Sequence, residues 1–571
     1  MKNKIEQFQK EYGIKGFMAV TGDAKGEIIS TTIPLSFWGG IDPQSGIIID
    51  QYHPLSNQSI KNKIFVFPGG RGSSTGSGIL LEMLYSNCAP NGIIMKEKDE
   101  IIILGGIVAE KVFAKEIPIV ILNDRDFATV VQSSYAKIDR EGNVVLKIRK
   151  ENMMTEVFLT DYDKELLSGS HGKSKKISME IILEIAKIQG AKKLIDISNA
   201  HIDGCLYLGK TSIEFPKRLA DDENGKVVVP TTMNAISIDR KRWQTYHIDK
   251  KFAENAYQVA LEYERMGAIP TFSCAPYQLP NAPKFGEHIA WAESNAIVYA
   301  NSVIGARTNR YGDFMDICAA LTGRVPLSGH HLDEERLGTV LIRLPKMKTR
   351  DASFYPLLGY LIGEKIENGI PVIDGIHEPP TNDDLKALGA ALATTGSIGM
   401  FHMVGVTPEA PTVEEAFGFR SVNQTIHITV EEIESLKSKL LPKKQEKVSM
   451  VLLGSPHFSI EEFKELLELV DNKKIHPDVR MMMTTSAYVY EEIEKLGIVN
   501  KIEDFGAEII TDSCLCMIEP FIRDIIKSRT GIMITNSGKF VHYGPGLTKS
   551  SNGVFLSSLN GCVQSAISGK S

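Results

Sequence analysis

Strand-like and helix-like segments alternate from residue 177 to the end of the chain, and this alternation restricts the fold more than any other feature. An amphipathic helix is predicted at Ile177–Lys187, and a strand follows at Lys193–Ile197. Further apolar runs that predict strands lie at Val227–Pro230, Val448–Leu453, Arg480–Met483 and Glu508–Ile510. The pattern is typical of an α/β domain with a largely parallel sheet.

Polar and sulfur-containing residues follow several of the predicted strands. They lie in the segments Ser198–Asp203, Thr231–Asn234, His402–Glu409, Thr511–Cys514 and Asn536–Lys539. In parallel α/β sheets, residues just after the strands build the functional site. The same residue types also form ordinary turns and helix caps, so each segment taken alone is compatible with a structural role.

Residues 1–148 predict a separate, β-rich module. Its short apolar runs are separated by Gly, Pro and Asp turns and lie at Ile28–Ile33, Gly46–Asp50, Ile64–Phe67, Ile101–Leu104 and Ile117–Leu122. A chain of 571 residues exceeds what one hydrophobic core usually contains. The polar run Lys147–Asn152 therefore predicts a boundary between one domain at residues 1–148 and a second at 149–571.

A Gly/Ser-rich loop, Pro68–Ser77, lies between the predicted strand Ile64–Phe67 and a predicted helix at Ile79–Tyr85. Free backbone N–H groups and the positive end of the helix dipole favour an anion at such a loop. No Lys-Ser/Thr pair follows the glycines, so the loop is not a nucleotide-binding P-loop. Arg71 adds a guanidinium suited to a carboxylate, whereas the alternative is a flexible turn.

Composition excludes several classes of function. The net charge of -6 at pH 7 argues against a nucleic-acid-binding surface, which needs clustered Lys and Arg. No apolar run approaches the length that spans a bilayer, so we expect a cytoplasmic protein that acts on a small molecule. The seven cysteines are odd in number and include no CxxC pair, which argues against a disulfide framework. They are either buried free thiols or a subset gathered around iron.

The segment Thr271–Asn309 carries an unusual density of chemistry. Cys274 lies in a Pro-containing turn, and the apolar spacing from Gly286 predicts a helix that stops at Gly305. This helix also bears acids, amides and a histidine, more polar groups than a buried helix tolerates unless they meet one another or a ligand. A core helix with a satisfied polar face and an inert cysteine is the structural alternative.

The sequence resembles the aconitase X family over essentially its whole length. The motifs that carry the resemblance are Phe67–Ser74, Ala200–Gly204, Val229–Asn234, Ser273–Tyr277, Trp291–Ser294, Ala300–Asn309, His402–Pro411 and Thr511–Cys514. The resemblance implies a small swivelling domain fused to a large aconitase-like catalytic domain in one polypeptide, so that no partner subunit is required. It also implies a hydro-lyase in which iron, held by cysteines, binds the hydroxyl group that leaves.

The resemblance also implies roles for particular residues. Ser73 is the expected catalytic base, with Arg71 stabilising negative charge and His201, with Asp203, relaying a proton. The expected ligands of a 2Fe-2S or 4Fe-4S cluster, or of mononuclear iron, are Cys274, Cys514 and Cys562, with Cys205 or Cys516 as possible substitutes. The expected substrate-binding residues are Ser74, Asn301, Ser302, Arg307 and Asn309.

Two activities are associated with the family. The fused arrangement is similar to enzymes of hydroxyproline degradation that convert cis-3-hydroxy-L-proline into Δ1-pyrroline-2-carboxylate, whereas the two-chain form resembles (R)-5-phosphomevalonate dehydratases. Fusion, and the lack of clustered Lys and Arg near Ser73, favour the hydroxy amino acid. A non-catalytic iron sensor is a third alternative. The low basic charge and the intact Arg71–Ser73 loop argue against a sensor that binds RNA.

Overall fold

The computed structural model describes residues 13–144, 157–346, 352–366, 368–442, 444–522, 530–548 and 553–571. The chain divides into two compact units. Unit 1 comprises Met1–Ala200, Leu208–Val229 and Arg310–Gly329, and unit 2 comprises His201–Tyr207, Pro230–Asn309 and His330–Ser571. The predicted domain boundary between residues 148 and 149 lies outside the described residues.

Unit 1 contains an eight-stranded sheet whose centre is parallel and whose edges are antiparallel. Its strands, in spatial order, are Ile14–Lys15, Asn143–Val144, Tyr135–Ile138, Ala24–Ser30, Ile64–Val66, Gly92–Met95, Ile119–Ile121 and Phe17–Val20. The helices Gly76–Tyr85, Glu100–Phe113 and Asp124–Val131 follow strands of this sheet. The prediction of a β-rich N-terminal module is confirmed.

Two of the strand predictions for this module are wrong. Ile101–Leu104 belongs to the helix Glu100–Phe113, which Asp99 caps by accepting hydrogen bonds from the N–H groups of Ile101 and Ile102. The first three turns of this helix are buried nearly all round, and such a helix has the same continuous apolar run as a buried strand. Gly46–Asp50 contributes only isolated bridges, at Ile47 and Ile48.

The rest of unit 1 is mainly helical, with helices at Asp161–Ser168, Lys173–Gln189, Lys210–Ala220 and Met315–Thr322. The predicted helix at Ile177–Lys187 is thus confirmed as part of Lys173–Gln189. The strand within Lys193–Ile197 is also present, as Leu194–Asp196, but it pairs antiparallel with Arg324–Pro326. Val227–Pro230 is not a strand; the strand begins just after it, at Thr231–Met233 in unit 2.

Unit 2 contains two fully parallel sheets and a smaller three-stranded sheet. One parallel sheet has the order His402–Met403, Pro371–Asp374, Val340–Arg343, Thr425–His427. The other has the order Glu508–Thr511, Arg480–Thr485, Val448–Leu453, Ile532–Thr535, Val554–Leu556. The small sheet contains Thr231–Met233, Ala200–Ile202 and Ala290–Trp291. The prediction of a mostly parallel α/β domain is confirmed.

The helices of unit 2 cover these sheets. They are Lys250–Arg265, Ser294–Tyr299, Phe354–Lys365, Asn382–Thr395, Val413–Ala416, Val430–Leu440, Ile460–Val470, Ala487–Lys495, Ile498–Phe505, Gly538–Thr548 and Leu559–Ser568. The five-stranded sheet is apolar and buried along almost its whole length, which is expected of parallel strands covered on both faces. Because its strands are parallel, the segments after Leu453, Thr511 and Thr535 leave the sheet at one edge.

The predicted helix from Gly286 to Gly305 is shorter than expected. Glu293 caps its first turn by accepting the N–H of Asn295, so the helix begins at Ser294 and passes into a π-helical turn over Ala300–Ile304. Gly305, with φ of 76°, ends it as predicted. In the described segments no helix combines the length and the apolar character that crossing a bilayer demands.

Candidate active site

Ser73 in unit 1 lies just before the helix Gly76–Tyr85. Its hydroxyl donates to Thr75 Oγ1 at 3.1 Å and accepts the backbone N–H of Thr75 at 3.3 Å, and the residue is only 5% exposed. Ser73 lies two residues before Thr75, the N-cap of the helix, so the positive end of the helix dipole is close to this hydroxyl. Negative charge at Ser73 Oγ is therefore favoured.

Two arginines flank this serine within unit 1. Gly72 has φ of 79°, and its carbonyl oxygen accepts a hydrogen bond from Arg310 Nη2 at 2.8 Å. Arg71 Nη2 forms an ion pair with Asp50 Oδ2 at 2.9 Å. The sequence analysis identified Arg71 but missed Arg310, whose only signal was its position directly after the Ala300–Asn309 motif.

Ser74, a predicted substrate-binding residue, is fully buried. Its carbonyl oxygen accepts the hydroxyl of Ser77 at 3.3 Å, and Ser77 Oγ in turn accepts the backbone N–H of Asp313 at 3.0 Å. The residue thus helps to hold the loop, and its contact with a substrate stays a prediction.

A buried ion pair organises the chemistry of unit 2. Lys539 Nζ lies 2.8 Å from Glu293 Oε1, and the side chains are 6% and 7% exposed. Asn295 Nδ2 donates to the same carboxylate oxygen at 2.7 Å, and Asn234 Nδ2 donates to Glu293 Oε2 at 3.2 Å. Burial alone raises the pKa of Glu293, but the Lys539 charge and these hydrogen bonds outweigh it and hold that pKa at about 2. Glu293 is therefore a carboxylate at neutral pH.

Three thiols lie beside this ion pair. Cys274, Cys514 and Cys516 pack in one cluster with Ala235. Burial, reinforced by the Glu293 charge and opposed by the Lys539 charge, raises the pKa of the Cys274 thiol. The hydrogen bond with Cys516, followed by burial, raises the pKa of Cys514 well above its usual range. The Cys274 and Cys514 thiols are therefore protonated at neutral pH, and a metal ion would have to displace their protons in order to bind.

Cys562, the third predicted ligand, lies elsewhere. It is fully buried on the helix Leu559–Ser568 and belongs to the apolar cluster that covers the five-stranded sheet, with Val563 and Ala566. The structure therefore brings Cys274 and Cys514 together and adds Cys516, not Cys562. The spacing of the cysteines along the chain held no information on this grouping, because tertiary contacts decide it.

The side chains of the thiol cluster are of a type that binds iron, but among the described residues they are not gathered into a metal site. Thiolates are the ligands that iron–sulfur centres use. His457 donates its backbone N–H to Cys274 Sγ at 3.2 Å, and its buried Nδ1 has no hydrogen-bond partner among the described residues. In that same part of the chain, no group of three or more His, Cys, Asp or Glu side chains is arranged closely enough to hold a metal ion.

His201, the predicted proton relay, is fully buried beside Trp291, and its Nδ1 lies 2.7 Å from Thr232 Oγ1. Burial, opposed by the Glu293 charge, lowers the pKa of His201 to about 3. Its ring is therefore neutral at physiological pH and carries no spare proton as an imidazolium. Asp203 accepts a hydrogen bond from Asn234, which joins it to the Glu293 network.

The other predicted substrate-binding residues are already engaged within unit 2. Asn301 donates to the carbonyl oxygens of Thr308 and Gly399, and Ser302 Oγ accepts the backbone N–H of Phe401 at 2.9 Å. Arg307 pairs with Asp333, and Asn309 Oδ1 accepts the backbone N–H of His330 at 2.8 Å. These contacts fasten the segment that follows the helix, so they give these residues a structural role, and their binding of substrate stays a prediction.

The fold and these side chains define a multidomain α/β protein with a buried serine loop in one unit and a thiol and carboxylate cluster at the strand ends of the other. Four domain models of one family match the chain: the aconitase X swivel domain at residues 13–147, the first domain at 156–334, the second at 338–438 and the third at 448–568.

Individual relatives agree with these matches. The cis-3-hydroxy-L-proline dehydratase of Pseudomonas aeruginosa is 42% identical, over 97% of this chain and 96% of that protein. The phosphomevalonate dehydratase large subunit of Methanocaldococcus jannaschii is 36% identical over 69% of this chain and 96% of its own length. The crystal structure of Thermococcus kodakaraensis aconitase X in its holo-form has a TM-score of 0.63 at 32% identity, and the match covers 72% of this chain and all of that one. The chain belongs to the aconitase X family.

Proposed function

We propose that this protein is a hydro-lyase that converts cis-3-hydroxy-L-proline into Δ1-pyrroline-2-carboxylate and water. The observation that carries the proposal is the Ser73 loop, in which a buried hydroxyl precedes a helix N-terminus, Arg71 lies two residues before the serine, and Arg310 holds the carbonyl oxygen of Gly72. Similarity to the Pseudomonas aeruginosa dehydratase over nearly the whole of both chains supports this substrate.

Ser73 acts as the base in this proposal. Its alkoxide removes the proton from C2, which lies next to the carboxylate, and the electrons of that C–H bond form the C2–C3 double bond as hydroxide leaves C3. The departing hydroxide takes up a proton from the solvent and becomes water, and Ser73 returns the proton from C2 to the solvent. The resulting enamine tautomerises to the cyclic imine. A serine alkoxide is accessible only where positive charge and N–H donors surround it, and Arg71 and the N-terminus of the helix Gly76–Tyr85 supply both.

Cys274 and Cys514 are the residues we propose to hold an iron or iron–sulfur centre, with Cys516 as the neighbouring third thiol. When bound there, iron supplies a Lewis acid that weakens the bond to the leaving hydroxyl. Lys539 would partly balance the negative charge that ligating thiolates add, because it interacts electrostatically with Cys274 and Cys516 as well as with Glu293. His201, whose ring is neutral and contacts Thr232 Oγ1, stays the residue that we propose to relay a proton to the departing hydroxyl group.

The test is an assay of anaerobically purified protein against two substrates. With cis-3-hydroxy-L-proline we expect the cyclic imine, detected with o-aminobenzaldehyde, and with trans-4-hydroxy-L-proline we expect none, because that compound has no hydroxyl on C3. A parallel reaction with (R)-5-phosphomevalonate is followed by NMR. Dehydration of the phosphomevalonate alone would keep the class of reaction and overturn the substrate.

We also infer that the protein acts as a single chain in the cytoplasm, on the grounds that swivel and catalytic domains are fused and that all seven cysteines are free. Activity of the purified single polypeptide tests the first point. Cell fractionation that recovers the protein outside the cytosolic fraction would contradict the second.

A further inference from the structure

Arg310 differs from Arg71 and Arg307 because it forms no ion pair with an acidic side chain among the described residues. Arg71 is paired with Asp50, and Arg307 is paired with Asp333. Arg310 donates only to a backbone carbonyl, that of Gly72, and its Nε is buried without a hydrogen-bond partner in the segments that the structure describes. A guanidinium with a buried, unused N–H is an incomplete recognition group.

We propose that the Arg310 guanidinium binds the carboxylate of the substrate and thereby selects hydroxy acids whose carboxylate lies next to the carbon that loses its proton. This inference rests on the proposed function and adds the group that recognises the substrate. Arg310 donates a hydrogen bond to the carbonyl oxygen of Gly72, the residue before Ser73. The guanidinium that would bind the carboxylate is therefore fixed to the loop that carries the base.

The charge balance around Arg310 is consistent with an anion at this position. Glu100, which is half-buried, interacts with it electrostatically and accepts a hydrogen bond from Gln189. Burial, opposed by the hydrogen bond from Gln189, raises the pKa of Glu100 to about 7. Glu100 therefore compensates the guanidinium only in part, whereas a substrate carboxylate would form the charge-assisted hydrogen bonds that Nε is placed to donate.

The chemistry of the reaction gives this contact a catalytic effect as well. Removing the proton from C2 delocalises negative charge onto the carboxylate oxygens. A guanidinium on those oxygens binds the substrate in its ground state and stabilises the charge that develops in the transition state. Loss of Arg310 should therefore raise KM and lower kcat together.

The test compares two planar ring ligands that differ only in charge. Pyrrole-2-carboxylate resembles the flattened C2 centre and carries the carboxylate, whereas pyrrole-2-carboxamide has the same shape without the charge. Calorimetric titration of the holoenzyme should show that Arg310→Gln weakens pyrrole-2-carboxylate binding by about 10- to 100-fold, the range expected for lost hydrogen bonds to a charged group. Pyrrole-2-carboxamide binding should change by less than about threefold.

Arg218→Gln is the matched control. Arg218 also lies in unit 1 and donates to a backbone carbonyl, that of Val112, but it does so at the exposed surface. We expect this variant to bind both ligands as the wild type does. Arg310→Lys, which keeps the charge but not the fork of N–H donors, should have an intermediate affinity for the carboxylate.

Three outcomes would overturn the inference. Unchanged carboxylate binding in Arg310→Gln removes the contact. An equal loss of both ligands in folded Arg310→Gln and Arg310→Lys assigns the arginine to loop structure alone. If the wild type binds neither ligand and does not dehydrate cis-3-hydroxy-L-proline, both the proposed function and the inference fail. If the wild type binds neither ligand but does dehydrate that substrate, the proposed function stands and the role of Arg310 alone is rejected.

Discussion

Replacing Lys539 by Met leaves a buried carboxylate without its cation. Lys539 Nζ lies 2.8 Å from Glu293 Oε1, and both side chains are almost fully buried. Removing one partner of such a pair typically costs about 3–5 kcal/mol of unfolding free energy, because the remaining charge has lost its compensation.

The pH dependence of this cost has a definite sign. In the wild type the pKa of Glu293 is lower in the folded protein than in the unfolded chain, so its contribution is fully present above about pH 4.5 and is lost as the pH falls towards 2. In Lys539→Met, burial is no longer offset by the ammonium, so the folded-state pKa of Glu293 rises above the unfolded one. The penalty of the substitution should therefore shrink between pH 8 and pH 5.5, as Glu293 takes up a proton.

The assay is urea unfolding with Trp291 as the reporter, in a background in which Trp38 and Trp243 are Phe. Trp291 is buried in unit 2 and lies against His201. Lys539→Met should cost about 3–5 kcal/mol at pH 8, and the same substitution in a Glu293→Gln background should cost much less. Equal costs in both backgrounds, or a cost that does not fall at pH 5.5, would refute the electrostatic account of this pair.

Further substitutions test the thiol cluster, the serine loop and a second buried ion pair. Cys274→Ala should lower the iron content, whereas Cys562→Ala should keep the iron and lose only about 1 kcal/mol of stability from the core. Iron content and thermal unfolding are measured for both variants. The reverse pattern would contradict the assignment of Cys274, rather than Cys562, to the metal site. Gly72→Ala, at φ of 79°, should lower the free energy of unfolding by about 1–2 kcal/mol and should also lower turnover. Gly169→Ala, at φ of 85° on a helix end, should show only the loss of stability. Equal activities of the two variants would show that the conformation of the loop does not affect the reaction. Arg336→Met should destabilise the protein by about 3–5 kcal/mol in denaturant unfolding, because this 1% exposed guanidinium is paired with a carboxylate, and a cost below about 1 kcal/mol would contradict that.

The sequence predicted those elements whose evidence is local. Ile64–Val66 and Val448–Leu453 were recognisable because β-branched or apolar runs end at Gly or Pro. Ile101–Leu104 was not, because a helix buried on all sides has no polar face to reveal its period. The aconitase X resemblance and the α/β fold class are confirmed.

The arrangement of the site depended on contacts between distant parts of the chain. Glu293 and Lys539 are 246 residues apart. The sequence showed each of them only as a polar residue in a segment that could contribute to a site, and it did not show that they form a pair. Arg307, which was predicted to bind a substrate carboxylate, forms an ion pair with Asp333, and that prediction stays untested. Arg310, three residues later, is the guanidinium that contacts the serine loop. A sequence shows which side chains have suitable chemistry but not which of them already have partners.

The most direct test of the account is the rate of imine formation from cis-3-hydroxy-L-proline by the wild type and by Ser73→Ala, at matched iron content. Thr75→Ala, which removes the neighbouring hydroxyl that Ser73 contacts, serves as a loop control. We predict that the wild type forms the imine and that Ser73→Ala, with its iron and its fold unchanged, is slower by at least about 100-fold, as expected when a general base is removed. A Ser73→Ala variant that turns over at the wild-type rate would contradict the central claim that this serine removes the proton.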